Sequence, residues 1–214
     1  MRFRAVMLFA ALTLASSLFA QNEVAVFLNR TSFKSTTVSD PTVGLTAKLK
    51  FDSKNAYGIS FDRYISPTTS VQFLAQNLKA DTVLEVNAPS FPGFSTDAGS
   101  LELKEYDVAL HWHFGAGHSF KPYVGFGIAR IQGGKIHVPA DLTDSGVDET
   151  HSLDDKTTWV ADAGIDFQIS PNLGVIVTAK YVPYKTSYGA DPSEPVQKLK
   201  LDPRSLAAGL RWRF

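Results

Sequence analysis

The stretch Tyr106-Asp107-Val108-Ala109-Leu110-His111-Trp112-His113-Phe114 interleaves two side-chain series. Tyr106, Val108, Leu110, Trp112 and Phe114 are apolar or aromatic, while Asp107, Ala109, His111 and His113 between them are polar or small. Successive side chains of a β-strand point to opposite faces, so this alternation marks a strand with one greasy side and one polar side.

The same period returns along the chain and helical periodicity does not. Tyr57, Ile59 and Phe61 alternate with Gly58, Ser60 and Asp62, and Val71, Phe73 and Ala75 with Gln72, Leu74 and Gln76. Val124, Phe126 and Ile128 alternate with Tyr123, Gly125, Gly127 and Ala129. Trp159, Ala161, Ala163, Ile165, Phe167 and Ile169 stand against Val160, Asp162, Gly164, Asp166 and Gln168. Val175, Val177, Ala179 and Tyr181 oppose Ile176, Thr178 and Lys180. The final segment sets Leu206, Ala208, Leu210, Trp212 and Phe214 against Ser205, Ala207, Gly209, Arg211 and Arg213. With a first strand near Glu23–Phe33, the count comes to about eight, an even number as antiparallel membrane barrels require.

The connections alternate in length. Short turns are expected at Ser66–Thr69, Gly115–Phe120 and Ser170–Asn172, the first and last with a Ser-Pro signal. Long polar stretches are expected as loops at Lys34–Phe51, Asn87–Ser100, Pro139–Lys156 and Ser187–Gln197. Short turns at one end and long loops at the other describe an up-and-down barrel with its turns toward the periplasm. No linker or shift in composition divides the chain.

Residues 1–20 read as a cleavable secretory signal peptide. Arg2 and Arg4 form a basic start, an apolar run follows from Ala5 to Ala15, and small residues lead to Ala20. That run is too short for the ~20 residues of a spanning helix. Residues 21–214 then form one domain. Arg2 and Arg4 leave with the leader, so 19 Lys and Arg remain against 21 Asp and Glu. A balance without a basic footprint gives no basis for nucleic-acid binding. The chain has no cysteine, so an exported fold of this kind is held by its core or by lipid, not by disulfides.

Alternation alone fits either a soluble barrel, greasy inside, or a membrane barrel, greasy outside. Three features favour the second. Asp62, Asp107, Asp162, Asp166, Lys180, Arg211 and Arg213 lie on faces shared with Gly and Ala, as expected of a cramped interior filled by paired charges. Tyr57, Trp112, Phe114, Phe167, Trp212 and Phe214 cluster near strand ends on the apolar faces, as interfacial girdles do. The chain ends on Leu210, Trp212 and Phe214 at alternate positions, which resembles the assembly signal of outer-membrane barrels. The fold class is therefore all-β, an eight-stranded antiparallel up-and-down transmembrane barrel. The expected partners are outer-membrane lipid and, during biogenesis, the barrel-assembly machinery.

Several stretches resemble the OmpW family of small outer-membrane barrels. Tyr57-Gly58-Ile59-Ser60-Phe61 with Ser66–Val71 is similar to its second strand, periplasmic turn and third strand. Phe120-Lys121-Pro122-Tyr123-Val124-Gly125-Phe126-Gly127-Ile128 is similar to its F-[RK]-P-Y-V-G-x-G segment. Asp162-Ala163-Gly164-Ile165-Asp166-Phe167 with Pro171-Asn172-Leu173-Gly174 resembles its sixth strand and next turn, and Leu201-Asp202-Pro203 with Gly209–Phe214 its last strand. The likeness runs in order through most of residues 55–214. It implies a narrow channel or uptake route for small, largely hydrophobic molecules in a Gram-negative-type envelope. The other functional class is a structural or surface-interaction barrel with its lumen plugged by side chains.

Other chemistry fares less well. His111 and His113 share a face, and His-x-His on a strand can seat zinc, but further ligands are missing, so ordinary lumen residues are expected. His118-Ser119 suggests the nucleophile pair of lipid-modifying barrels, yet it falls in a short turn with no nearby acid to orient the imidazole. Gly125-Phe126-Gly127 and Gly133-Gly134-Lys135 open no helix and lack phosphate-loop spacing, so relief of crowding is the expected role. No enzyme, metal or cofactor is expected. The seven lumen charges are candidates for a gate or a structural plug, with the plug favoured because interior polar groups must be satisfied whatever the function.

Overall fold

A computed structural model describes residues 21–40, 45–88, 91–115, 119–138, 149–188 and 197–214; the expected leader, 1–20, lies outside them. In chain order the strands are β1 (Asn22–Ser32), β2 (Thr36–Asp40), β3 (Leu45–Ser53), β4 (Asn55–Ser66), β5 (Thr69–Ala88), β6 (Phe91–His113) and β7 (Phe120–Val138). They continue with β8 (Glu149–Ser152), β9 (Lys156–Gln168), β10 (Leu173–Tyr181), β11 (Lys185–Tyr188), β12 (Gln197–Lys200) and β13 (Arg204–Arg213). Eight of them close a ring in the order β1, β4, β5, β6, β7, β9, β10, β13, and β13 returns to β1. Every pairing is antiparallel, and closure runs from Glu23↔Arg213 to Ser32↔Arg204. At the short-turn end Asn22 N–H donates to the Phe214 carbonyl (3.1 Å) and Phe214 N–H to that of Asn22 (3.0 Å), which locks the two ends of the ring together.

Closure is what lets this sequence sit in lipid. Each strand of the ring is paired on both sides, so no edge meets hydrocarbon. The side-chain alternation sets the facing: Ile128 and Leu206 are 63% and 60% exposed, whereas Asp107 and Asp162 are 4% and 7%. Tyr57, Trp112, Phe114, Phe167, Trp212 and Phe214 all point outward. Leu210, Trp212 and Phe214 form one outward row at the end of β13.

Two of the expected loops are corrected. Lys34–Phe51 is largely β2 and β3, and Asn87–Ser100 is largely the facing ends of β5 and β6. In β3 Leu45, Ala47, Leu49 and Phe51 alternate with Thr46, Lys48, Lys50 and Asp52, and Phe51 is buried, whereas the Pro- and Gly-containing start of β6 carries no such period while its hydrogen-bond ladder continues. Charge pairs line these outer ends: Lys50 with Glu85, Lys54 with Asp81 at 2.7 Å, and Lys79 with Glu102 at 2.7 Å. Of the other two expected loops, residues 139–148 and 189–196 lie outside the described part, and the flanks form β8, β11 and β12.

At the outer end the ring divides. Among the described residues β11 and β12 pair only with each other. Pro183 follows β10 and Pro203 precedes β13, and a residue without N–H cannot carry the ladder on. Asp202 beside Pro203 adopts φ of 36°, a left-handed turn that swings β12 away from the line of β13.

Candidate functional site: a lumen in two halves

The inner half of the lumen is ionic. Glu23, Asp62, Glu105, Asp107, Asp162 and Asp166 face Lys180, Arg211 and Arg213 there, all buried. Glu23 Oε1 accepts from Arg213 Nε at 2.7 Å, and its Oε2 lies 2.9 Å from Arg211 Nη1. Arg211 also contacts Asp166, and Arg213 Nη1 donates to Gln168 Oε1 at 3.2 Å. One level up, the His111 ring lies between Asp162 (Nε2 to Oδ1, 3.2 Å) and Asp62 (Nδ1 to Oδ1, 3.6 Å). Gln72 Nε2 donates to Asp62 Oδ2 at 3.1 Å. Above that, Lys180 binds Asp107 and, at 3.3 Å, Glu105 Oε1. Gln76 donates to Glu105 and accepts from Asn29, both at 3.0 Å.

Glycines make room for this layer. A Cβ on Gly125 would come within 2.3 Å of His111 Cδ2 and 2.4 Å of Asp162 Oδ1. The His111 ring cannot retreat, because Tyr123 stacks on it with centroids 4.8 Å apart. Gly125→Val is therefore expected to cost about 1–3 kcal/mol, the usual range for overpacking, read as a lower urea midpoint in vesicles. Gly93, whose surroundings are open within 4 Å, tests the steric argument from the other side: its φ of +80° makes a substitution there a backbone effect alone.

The outer half of the lumen is apolar. Phe33, Phe51, Leu78, Leu101, Leu103, Ile131, Leu153, Val160, Val182, Tyr184, Leu199 and Leu201 form one buried cluster drawn from nearly every wall. Within the ionic half, a cavity of only about 20 Å³ lies among Phe27, Gln72, Leu74, Gln76, Ile176 and Lys180, enough for roughly one water. At the rim Asp155 accepts from Gly133 N–H at 2.6 Å and from Arg130 at 2.9 Å, and these bonds hold its carboxyl below the usual range. Burial pushes the Tyr184 phenol up, and its hydroxyl donates to the Asp154 carbonyl at 2.8 Å, tying the β11 side to the β9 side.

The seven charges singled out in the sequence all lie inside the barrel. Asp107 meets Lys180, Asp166 meets Arg211, and Asp62 and Asp162 meet through His111. Arg211 and Arg213 also share Glu23. Glu23 and Glu105 were missed. Both follow from continuing the period-2 count, Glu105 one step outward from Asp107 and Glu23 opposite Arg213 on the first strand. His113 bonds Ser70 Oγ at 2.9 Å and packs on Tyr64 and Tyr123. The His118-Ser119 turn lies partly outside the described residues.

The family model described as outer membrane protein beta-barrel domain matches residues 3–214. The chain belongs to that family. This outer-membrane barrel resembles OprG of Pseudomonas aeruginosa (14% identity, TM-score 0.62, 91% of this chain and 96% of that one). It also resembles the outer membrane protein AlkL, solved in DMPC bilayers (16% identity, TM-score 0.59, 93% of each chain). The E. coli outer membrane protein W aligns at 18% identity and TM-score 0.44, over 89% of this chain and 97% of that one. No curated protein sequence matches the chain. The outer membrane is thus where the barrel resides, and its greasy outer wall is the surface that lipid covers.

Proposed function

We propose that the barrel admits small, largely hydrophobic molecules from the cell exterior and releases them sideways, without an aqueous pore through its inner half. The carrying observation is the division of the lumen. A polar solute entering from outside meets a dry apolar section, where leaving water without compensation costs several kcal/mol. An apolar solute loses little there, and below it the ionic layer blocks further travel along the axis. Beside the apolar section the wall is least laddered, since β11 and β12 form a strand ladder only with each other among the described residues. The side chains around that gap, Leu153, Val160, Val182 and Leu199, are apolar.

In this reading Lys180, Arg211, Arg213 and the carboxylates around them are a structural plug. Reconstituted vesicles provide the test. Loading of an apolar dye into the membrane phase is expected to rise several-fold over protein-free vesicles, while sugars of similar size cross no faster. Dye uptake equal to that of empty vesicles would end the proposal.

One observation favours a second reading, a structural barrel with its lumen closed throughout. Leu78, Leu101, Ile131, Val160, Tyr184 and Leu201 have 0% exposure, so the apolar section is packed as described and opens only if those side chains move.

A further inference from the structure

The outward face of the barrel carries a recess of about 910 Å³ across four neighbouring strands, β1, β13, β10 and β9, with Ser53 of β3 also lining it. The register defines two rows of it. One runs Ser32, Arg204, Tyr181, Ala161 and the other, one step nearer the membrane centre, Arg30, Leu206, Ala179, Ala163. Alanines leave the wall thin where its neighbours carry large side chains, so the floor of the recess is shallow, apolar and turned toward lipid.

The upper edge is cationic. Arg30 and Arg204 are diagonal neighbours on paired strands, about 7 Å apart by the usual spacing. Both are exposed, and among the described residues no carboxylate lies within salt-bridge distance of either. Lys50, Lys54, Lys79 and Arg130 at this end each hold an Asp or Glu. Two adjacent guanidiniums at a water–lipid boundary repel one another unless an anion lies between them. The boundary is marked by aromatic rings: Trp159 packs on Tyr181 at 5.5 Å and on Phe126 at 6.1 Å, and the Arg204 guanidinium lies 5.9 Å above the Tyr181 ring.

We propose that this recess binds a phosphate-bearing lipid of the outer leaflet, with the phosphate between Arg30 and Arg204 and an acyl chain along Ala163, Ala179 and Leu206. The planar forks of arginine match phosphate oxygens in pairs, which a lysine does not do. Ser32, whose hydroxyl donates to the Arg204 carbonyl at 3.3 Å, supplies a further polar group beside the headgroup. The alanine floor gives the chain its contact area. The arginines alone would take any anion; the floor below them selects one attached to a hydrocarbon tail.

The probe is phosphatidic acid with saturated chains, added to the purified full barrel in maltoside micelles and followed by native mass spectrometry. Wild type is expected to hold one phosphatidic acid at about tenfold lower concentration than Arg30→Gln/Arg204→Gln. Ala163→Phe, which keeps both arginines and fills the floor, is expected to lose binding to a similar degree. Lys104→Gln, an exposed cation on the opposite wall, is expected to bind as wild type does. Diacylglycerol with the same chains is expected to bind no better to wild type than to the double variant. Equal phosphatidic acid binding by the double variant and wild type would overturn the proposal, as would equal binding of diacylglycerol. Displacement of the lipid by inorganic phosphate at equal concentration would also overturn it, since the site would then be one for free anions.

Discussion

Lys180→Glu is expected to leave most of the protein unable to reach the folded barrel. Lys180 is buried, and its ammonium contacts Asp107 and stands 3.3 Å from Glu105. Three carboxylates would then crowd one level of a closed lumen, with Asp162 on the strand beside them in direct register with position 180. Removing one partner of a buried ion pair costs about 3–5 kcal/mol, and reversing its sign adds repulsion to that. The whole stability of a domain is typically about 5–15 kcal/mol, so the loss reaches the scale on which folding fails. Heat-modifiability on gels measures the folded fraction, and urea titration in vesicles measures the stability of whatever folds. Lys180→Met, which removes the attraction without adding charge, is expected to fall between the variant and wild type. Ion conductance of the surviving folded protein is expected to stay at the wild-type level, because the remaining network still fills the cross-section. A variant that folds as wild type does and conducts freely would show these charges to be a gate and not a plug.

Leu101→Asp is expected to reduce uptake of an apolar dye at least about tenfold while the barrel still assembles. Leu101 is fully buried in the outer apolar section, in contact range of the cluster formed by Leu78, Leu103 and Ile131. A tenfold change corresponds to about 1.4 kcal/mol in the barrier for the passing molecule, which is small beside the cost of bringing an apolar surface against an unpaired carboxylate. Assembly is expected to survive because the ladder of the ring is backbone and does not use the Leu101 side chain. Leu101→Ala, which widens the section and keeps it apolar, is expected to take up dye at least as fast as wild type. Wild-type uptake by the Asp variant would remove the apolar section from the route.

The stretch from Leu45 to Phe51 reads as part of a loop although Leu45, Ala47, Leu49 and Phe51 alternate with Thr46, Lys48 and Lys50; Asn87–Ser100 reads as a loop because its prolines, glycines and serines carry no hydropathy period. Its ladder is backbone, which sequence does not display. Arg30 drew no notice in the first strand for a similar reason: its interest comes from standing beside Arg204 with no acid nearby, and that is a property of two strands together. The apolar outer lumen was also hidden. Leu101, Leu103 and Ile131 lie on inward faces whose other members are Glu105, Asp107 and Ala129, and only their level along the axis separates greasy from ionic.

What the sequence determined unaided was the direction of each membrane-crossing side chain, since that follows from the stereochemistry of neighbouring residues on one strand. From direction came the count of strands, the greasy exterior and the charged interior. Which charge meets which was decided by the closed ring alone. Arg213 and Glu23 are 190 positions apart in the chain, and Lys180 and Glu105 are 75 apart. Their meeting depends on the register of every intervening strand, a sum of small offsets that no local pattern records.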